Sequence, residues 1–338
     1  MPAPRPLSLL SLLPLCLLSS NVHAWGYLGH ETVAFIAQNF VSQETSTWAQ
    51  GILGDDGTSY LASVATWADS YRYTDEGEFT AGFHYIDAND DPPDTCNVDL
   101  ERDCPEEGCI VSAIANYTSR VQSTTISSTE VQKALKWVIH FLGDIHQPLH
   151  DEALEAGGNG IDVTYDGEAT NLHHIWDSDM PEQLVGGSSL SDAQTWAENL
   201  TTEIKSGSYA SSAPSWLDGM DVDDVESSAM VWATETNKFV CSTVMPDGRE
   251  AVETGDLSGD YYESSIGVIE ERIARAGYRL AAWLDLIATG ETTLGSSKIK
   301  RDHSARSFEA YTFPKPGMAR SQAAVKTREK RHVIGCTC

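Results

Sequence analysis

The sequence predicts an all-α protein, a single helical domain with a minor β-hairpin. Three observations predict it. Apolar residues recur at helical spacings through most of the body, in "GHETVAFIAQNF", "SYLASVATWADSYR", "VQKALKWVIHFLGDIHQ", "ESSAMVWATETNKFVCSTV" and "YYESSIGVIEERIARAGYRLAAWLDLIA". Alternation appears only in "IDVTYDGEATNLHH", where Asp166-Gly167 suits a short hairpin turn. The stretch 25–294 shows no linker or internal repeat and is long enough for one large core.

The chain opens on a leader. Met1–Ala24 carries a lone Arg5, the apolar run "LSLLSLLPLCLL" and small residues at −3 and −1 of "VHA", which reads as a secretory signal cleaved after Ala24. The mature protein would begin "WGYLGH". The apolar run is short for a bilayer and no other follows, so a soluble, secreted protein is expected.

Seven cysteines stand at 16, 96, 104, 109, 241, 336 and 338. The four in the body suggest two disulfides in an oxidising compartment. Cys104 and Cys109 bracket "CPEEGC", so the expected pairs are Cys104–Cys109 and Cys96–Cys241. Asn116 in "NYT" and Asn199 in "NLT" are glycosylation sequons.

Charge divides the chain. Residues 295–338 hold ten of the 22 Lys+Arg and three of the 50 Asp+Glu, with a dibasic Lys300-Arg301 and few large apolar residues. They read as a disordered or processed extension. Residues 25–294 keep 11 basic and 47 acidic residues, a formal charge of −36. Such acidity argues against the basic groove by which most nucleic-acid binders hold phosphates.

The segment "HFLGDIHQPLH" carries the chemistry. Leu135, Val138, Ile139, Leu142 and Ile145 mark a core face, yet His140, Asp144, His146 and His150 crowd the same end. His140 and Asp144, four apart, share a helical face, whereas His146 is turned away by roughly 240°. Pro148 breaks the helix and leaves His150 in a loop. A second pair at that spacing, His173 and Asp177, flanks Trp176 in "NLHHIWD". One such pair is ordinarily a hydrogen-bonded or solvated pair. Two pairs with His150, Asp69 in "WAD" and His84 in "FHYID" point to a metal cluster, and this donor set suits zinc. His146 and His174 read as satisfied hydrogen-bonding groups.

The order of "WGYLGH", "WAD", "FHYID", "HFLGDIHQPLH", "GGNGI", "NLHHIWD" and "AGYRLA" across 25–294 resembles the secreted single-strand-specific zinc nucleases of fungi and plants. The tail lies outside the likeness. The resemblance implies the helical fold shared by zinc-dependent phospholipases C and these nucleases, and three zinc ions. Asp69, His84, His140 and Asp144 would hold one. Asp144 would bridge to a second, held also by His30 and by the main-chain nitrogen and oxygen of Trp25, whose free amino group arises on signal removal. His150, His173 and Asp177 would hold the third.

It further implies a monomeric endonuclease acting on single-stranded DNA, RNA and 3′-nucleotides, leaving 5′-phosphates. Zinc makes hydroxide available near neutral pH and offsets phosphate charge, which answers the objection from acidity. Asp69 would help orient the attacking water, Arg72 would meet the phosphate, and Tyr85 and Asp87 would form a base pocket by stacking and polar contact. A paired base cannot easily reach such a pocket, so single strands are preferred. A zinc-dependent phospholipase C and a non-catalytic zinc-binding protein are the rival readings.

Overall fold

The computed structural model describes residues 25–295 and 299–300. The expected signal peptide, Cys16, Cys336, Cys338 and residues 301–338 lie outside the described residues. Twelve α-helices are present among them: α1 (Tyr27–Phe40), α2 (Gln43–Leu53), α3 (Trp67–Tyr71), α4 (Leu100–Asp103), α5 (Ile110–Val121), α6 (Ser128–Asp144), α7 (Leu172–His174), α8 (Met180–Val185), α9 (Leu190–Ser206), α10 (Val225–Phe239), α11 (Arg249–Val252) and α12 (Asp260–Thr289). The expected all-α class holds, and none of these helices is long and apolar enough to cross a membrane.

The longest helix, α12, packs along α1, which also lies against α9, while α5 and α6 pair beside them. Gly277 makes the α1–α12 crossing close: a Cβ there would stand 2.5 Å from Ile36 Cβ and 2.9 Å from the Val33 carbonyl oxygen. Trp25, Trp137, Trp176, Trp232 and Trp283 are fully buried, and each large ring contributes several kcal/mol of apolar burial (about 1.5–3 for an ordinary large side chain). Ser127 caps α6 by accepting from the Glu130 N–H. The core face of α6 is the one its spacing predicts, with Leu135, Val138, Ile139 and Leu142 buried. The helix stops at Asp144, and after Pro148 the chain makes a 3-10 turn over Pro148–Asp151.

The expected hairpin is β1 (Asp162–Tyr165) paired with β2 (Glu168–Asn171), Tyr165 opposite Glu168. Asp166 and Gly167 both take positive φ, 50° and 79°, the geometry that favours Asp-Gly in a two-residue turn. The Asp256 carboxylate accepts from both turn N–H groups. Both expected disulfides are present, Cys96–Cys241 and Cys104–Cys109.

Within the stretch expected to be a disordered or processed extension, Ile299–Lys300 form β4, antiparallel to β3 (Glu291–Thr292). Gly290, at φ 79°, ends α12 in the left-handed region and turns the chain out, so that a ladder closes with the residues that follow. Of the two sequons, Asn199 is exposed on α9, whereas Asn116 is only 4% exposed on α5. Asn199 is therefore the more accessible of the two.

Candidate metal centre and cleft

Four elements bring the first ligand group together. His30 comes from α1, Asp69 from α3, His84 from the end of a 3-10 turn (Glu78–His84), and His140 and Asp144 from α6. All five are at most 1% exposed. The four-residue spacing on α6 puts His140 Nε2 3.1 Å from Asp144 Oδ2. His84 Nδ1 lies 3.0 Å from that oxygen and 3.1 Å from His140 Nε2. Asp69 Oδ1 is 3.6 Å from His140 Nε2 and 3.8 Å from His84 Nδ1. On the far side of Asp144, Oδ1 is 3.0 Å from His30 Nε2. Asp144 thus stands between two donor sets, Oδ1 toward His30 and Oδ2 toward His84 and His140.

The second group is assembled by loops. His150 sits in the Pro148–Asp151 turn, His173 on α7, and Asp177 in the π-type turn Ile175–Asp179. His150 Nε2 and His173 Nε2 are 3.1 Å apart, and His173 Nε2 is 3.1 Å from Asp177 Oδ2.

The tautomers decide whether these residues fit a metal. His140 Nδ1 lies 2.7 Å from the Ala65 carbonyl oxygen, His150 Nδ1 2.7 Å from that of His84, and His173 Nδ1 2.6 Å from that of Gly157. A carbonyl only accepts, so each Nδ1 carries the hydrogen and each Nε2 presents a lone pair. Those lone pairs point at one another and at carboxylates. Asp144 Oδ1 and Asp177 Oδ2 make no hydrogen bond despite their close imidazole neighbours. Buried acceptors facing each other at contact distance repel unless a cation lies among them, so the residues fit divalent metal ions. Three groups within 4.8 Å have the required donors: His30, His140 and Asp144; Asp69, His84 and His140; His150, His173 and Asp177.

Electrostatics of the bare ligands agree. Burial lowers the His140 pKa, but the Asp144 and Asp69 carboxylates outweigh it and push it up to about 9. Burial holds His150 down to about 4. Asp144 lies well below the usual carboxylate range, because His140 and two further imidazoles overcome its burial. A metal bound there would take the place of a proton on these groups.

Trp25 is fully buried, and its indole Nε1 donates to the Gly143 carbonyl oxygen at 3.0 Å, one residue before Asp144. The next amide, Gly26 N–H, donates to the Asp177 carbonyl oxygen at 2.8 Å. The start of the described chain is therefore moored to both groups.

His146 is not among the ligands. Its Nδ1–H donates to the Leu142 carbonyl oxygen at 2.8 Å and its Nε2 accepts from Arg279 Nη1 at 3.0 Å. Burial and the Arg279 charge keep it neutral, well below the usual imidazole pKa. His174 faces the surface, 3.6 Å from Asp179.

A cleft of about 710 Å³ opens beside the second group, lined by Arg72, Tyr73, Tyr85, Asp87, His150 and His173 among others. Arg72, expected to meet the phosphate, borders this cleft with His150 and His173, its Nη2 donating to the Tyr73 hydroxyl at 3.1 Å. Tyr85 is 38% exposed and Asp87 is exposed with it. Sequence reasoning missed Gln147, whose Nε2 donates to Asp177 Oδ1 at 2.6 Å, and Gly143, whose missing side chain leaves room for His30. Both stand within "FLGDIHQPLH", but nothing in their spacing assigns them a partner.

Comparison with known proteins agrees with this geometry. A family model described as S1/P1 Nuclease matches residues 25–289. Nuclease S1 of Aspergillus oryzae is 57% identical over 272 residues, 80% of this chain and 94% of that protein. Nuclease P1 of Penicillium citrinum is 52% identical over 267 residues, 79% of this chain and 99% of that protein. Endonuclease 2 of Arabidopsis thaliana is 32% identical over 290 residues, 79% of this chain and 91% of that protein. With its ligand groups buried beside an open cleft and these matches spanning nearly all of the described residues, the chain belongs to the S1/P1 nuclease family.

Proposed function

We propose that this nuclease is a secreted, monomeric endonuclease that hydrolyses phosphodiester bonds of single-stranded DNA and RNA to 5′-phosphate products, and also dephosphorylates 3′-nucleotides. Residues 25–294 form the catalytic domain. One observation carries the reading: imidazole lone pairs and carboxylates converge in two buried groups, and the second of these borders a cleft that also holds Arg72, Tyr85 and Asp87. Nitrogen and oxygen donors of this kind suit zinc, and the three groups that contain histidine would each hold one of three ions. The N-terminal nitrogen and the carbonyl oxygen of Trp25 would complete the set of His30 and Asp144 once the leader is removed. When bound, the ions supply Lewis acidity and a nucleophile at neutral pH.

The chain's own groups do the rest. Asp69, beside His84 and His140, orients the attacking water. Arg72 offers its guanidinium to the phosphate in the cleft, where charge develops as the bond breaks. Tyr85 stacks on a base and Asp87 accepts from its polar edge, which tolerates every base but requires that it be unpaired. The acidic body adds no attraction for phosphate, so binding rests on this local site. Two disulfides fit an oxidising, extracellular setting.

The family match and this cleft favour a nuclease over a phospholipase C. The test is digestion of single-stranded DNA, duplex DNA, RNA and phosphatidylcholine by the mature protein, with and without a chelator. Single strands cut quickly, duplex slowly, lipid not at all, and complete loss after prolonged EDTA are the expected results. Full activity in EDTA would end the metal assignment.

A further inference from the structure

A second set of acceptors gathers beneath the cleft, apart from the His/Asp groups. Asp90 lies in the loop after Asp87, Glu152 follows the turn that carries His150, and Asn237 is on α10. A carboxylate oxygen of Asp90 and one of Glu152 lie within 4.8 Å of each other. Glu152 is 2% exposed and Asn237 fully buried.

Their hydrogen bonds can be followed atom by atom. Asp90 Oδ2 accepts from the Asn97 N–H at 2.8 Å and from Asn237 Nδ2 at 3.2 Å. Glu152 Oε1 accepts from the Leu154 N–H at 2.8 Å, and Asn237 Nδ2 donates also to the Asp151 carbonyl oxygen at 2.9 Å. Asp90 Oδ1, Glu152 Oε2 and Asn237 Oδ1 remain, three buried oxygens that no N–H group or hydroxyl reaches. All three are acceptors, and two belong to carboxylates. Burying them so costs free energy unless a positive charge joins them. Cys96 Sγ is equally close but is bonded to Cys241, so no thiolate is offered.

We propose that Asp90, Glu152 and Asn237 hold a hard divalent cation, calcium, distinct from the ions of the nuclease centre. An oxygen-only donor set without imidazole or thiolate selects calcium over zinc. Calcium takes 6–8 oxygens, so water completes the shell, and three protein side chains place the affinity in the weak extracellular class, about 10⁻⁴–10⁻³ M. The ion joins the loop that continues from Tyr85 and Asp87 to the turn bearing His150 and to α10, beside the Cys96–Cys241 bridge, and so steadies the cleft wall.

The test uses the mature, zinc-loaded protein with zinc content measured before and after. Calcium titrated to about 10 mM should raise Tm saturably by about 2–5 °C, with magnesium giving a smaller shift. Terbium emission excited through the protein's aromatic residues should be displaced by calcium. Asp90→Asn and Glu152→Gln should each abolish the calcium response while retaining zinc. Absence of a saturable response in the unaltered protein, the result expected if the two carboxyls share a proton instead, overturns the proposal, as does a response that survives in both variants. Should neither variant fold, the terbium displacement in the unaltered protein decides.

Discussion

The two ligand groups are built by different means. In the first, His30, Asp69, His140 and Asp144 project from helices and only His84 from a 3-10 turn; the helical repeat puts the α6 pair on one face, and the Ala65 carbonyl then fixes the His140 ring. His150, His173 and Asp177 sit in short turns, and each is held by an added prop: the His84 carbonyl, the Gly157 carbonyl and the Gln147 amide. Gly157 itself lies in a run of four left-handed residues, Glu155 to Gly158, with φ from 48° to 78°. Glu155 and Ala156 accept that strain without being glycine. Helices fix most of a ligand's position by covalent geometry, whereas these loops depend more on hydrogen bonds that can be cut one at a time.

The largest effect expected is on the cleft beside the loop-built group. Arg72→Ala should lower kcat about 10²–10³-fold on single-stranded DNA while metal content stays unchanged, because the guanidinium acts on the substrate's charge. Metal loss in that variant would instead make Arg72 part of the scaffold.

Cutting one prop tests the loop-built group directly. Gln147→Leu removes the donor to Asp177 Oδ1 and should weaken metal binding by His150, His173 and Asp177 about 10–100-fold. Graded chelation followed by metal analysis should show one ion lost early and the others retained. Equal loss from both groups would erase the distinction drawn here.

The helix-built group should instead break by crowding. A Cβ at Gly143 would stand 2.7 Å from His30 Nδ1, so Gly143→Ala should destabilise the protein by about 1–3 kcal/mol and displace His30 from Asp144. Denaturant unfolding of the metal-loaded protein measures it, and an unaltered midpoint would show that α1 and α6 can part without cost.

The smallest effect is a slope. His146, between the two groups, is kept neutral by burial and by Arg279. Its folded pKa is below the unfolded value near 6.5, so the unfolded chain binds the extra proton first. Stability that is complete above pH 6.5 is therefore lost as pH falls toward the folded pKa, by about 1.4 kcal/mol per unit at most. His146→Gln should flatten the stability profile between pH 6.5 and 5. An unchanged slope would assign the acid sensitivity to other groups.

Much of this was legible in the sequence, for a physical reason. Helical periodicity, the Asp-Gly turn and the i, i+4 His–Asp pairs are local, so residue spacing alone placed α6, the hairpin and the shared face of His140 and Asp144. The ligand set itself was read through family resemblance, since spacing does not say that His30, Asp69 and His84 meet at one carboxylate. Only the tertiary structure decided what depends on elements far apart in the chain. It set Arg72 beside His150 and His173, gave His146 to Arg279 from 133 residues away, and reserved the space over Gly143 for His30. It also paired Ile299–Lys300 with β3 and brought Asp90, Glu152 and Asn237 together from distant parts of the chain. A chain's periodicity dictates which face a residue occupies, but what that face meets is settled when distant helices exclude water together and every buried donor and acceptor must find a partner.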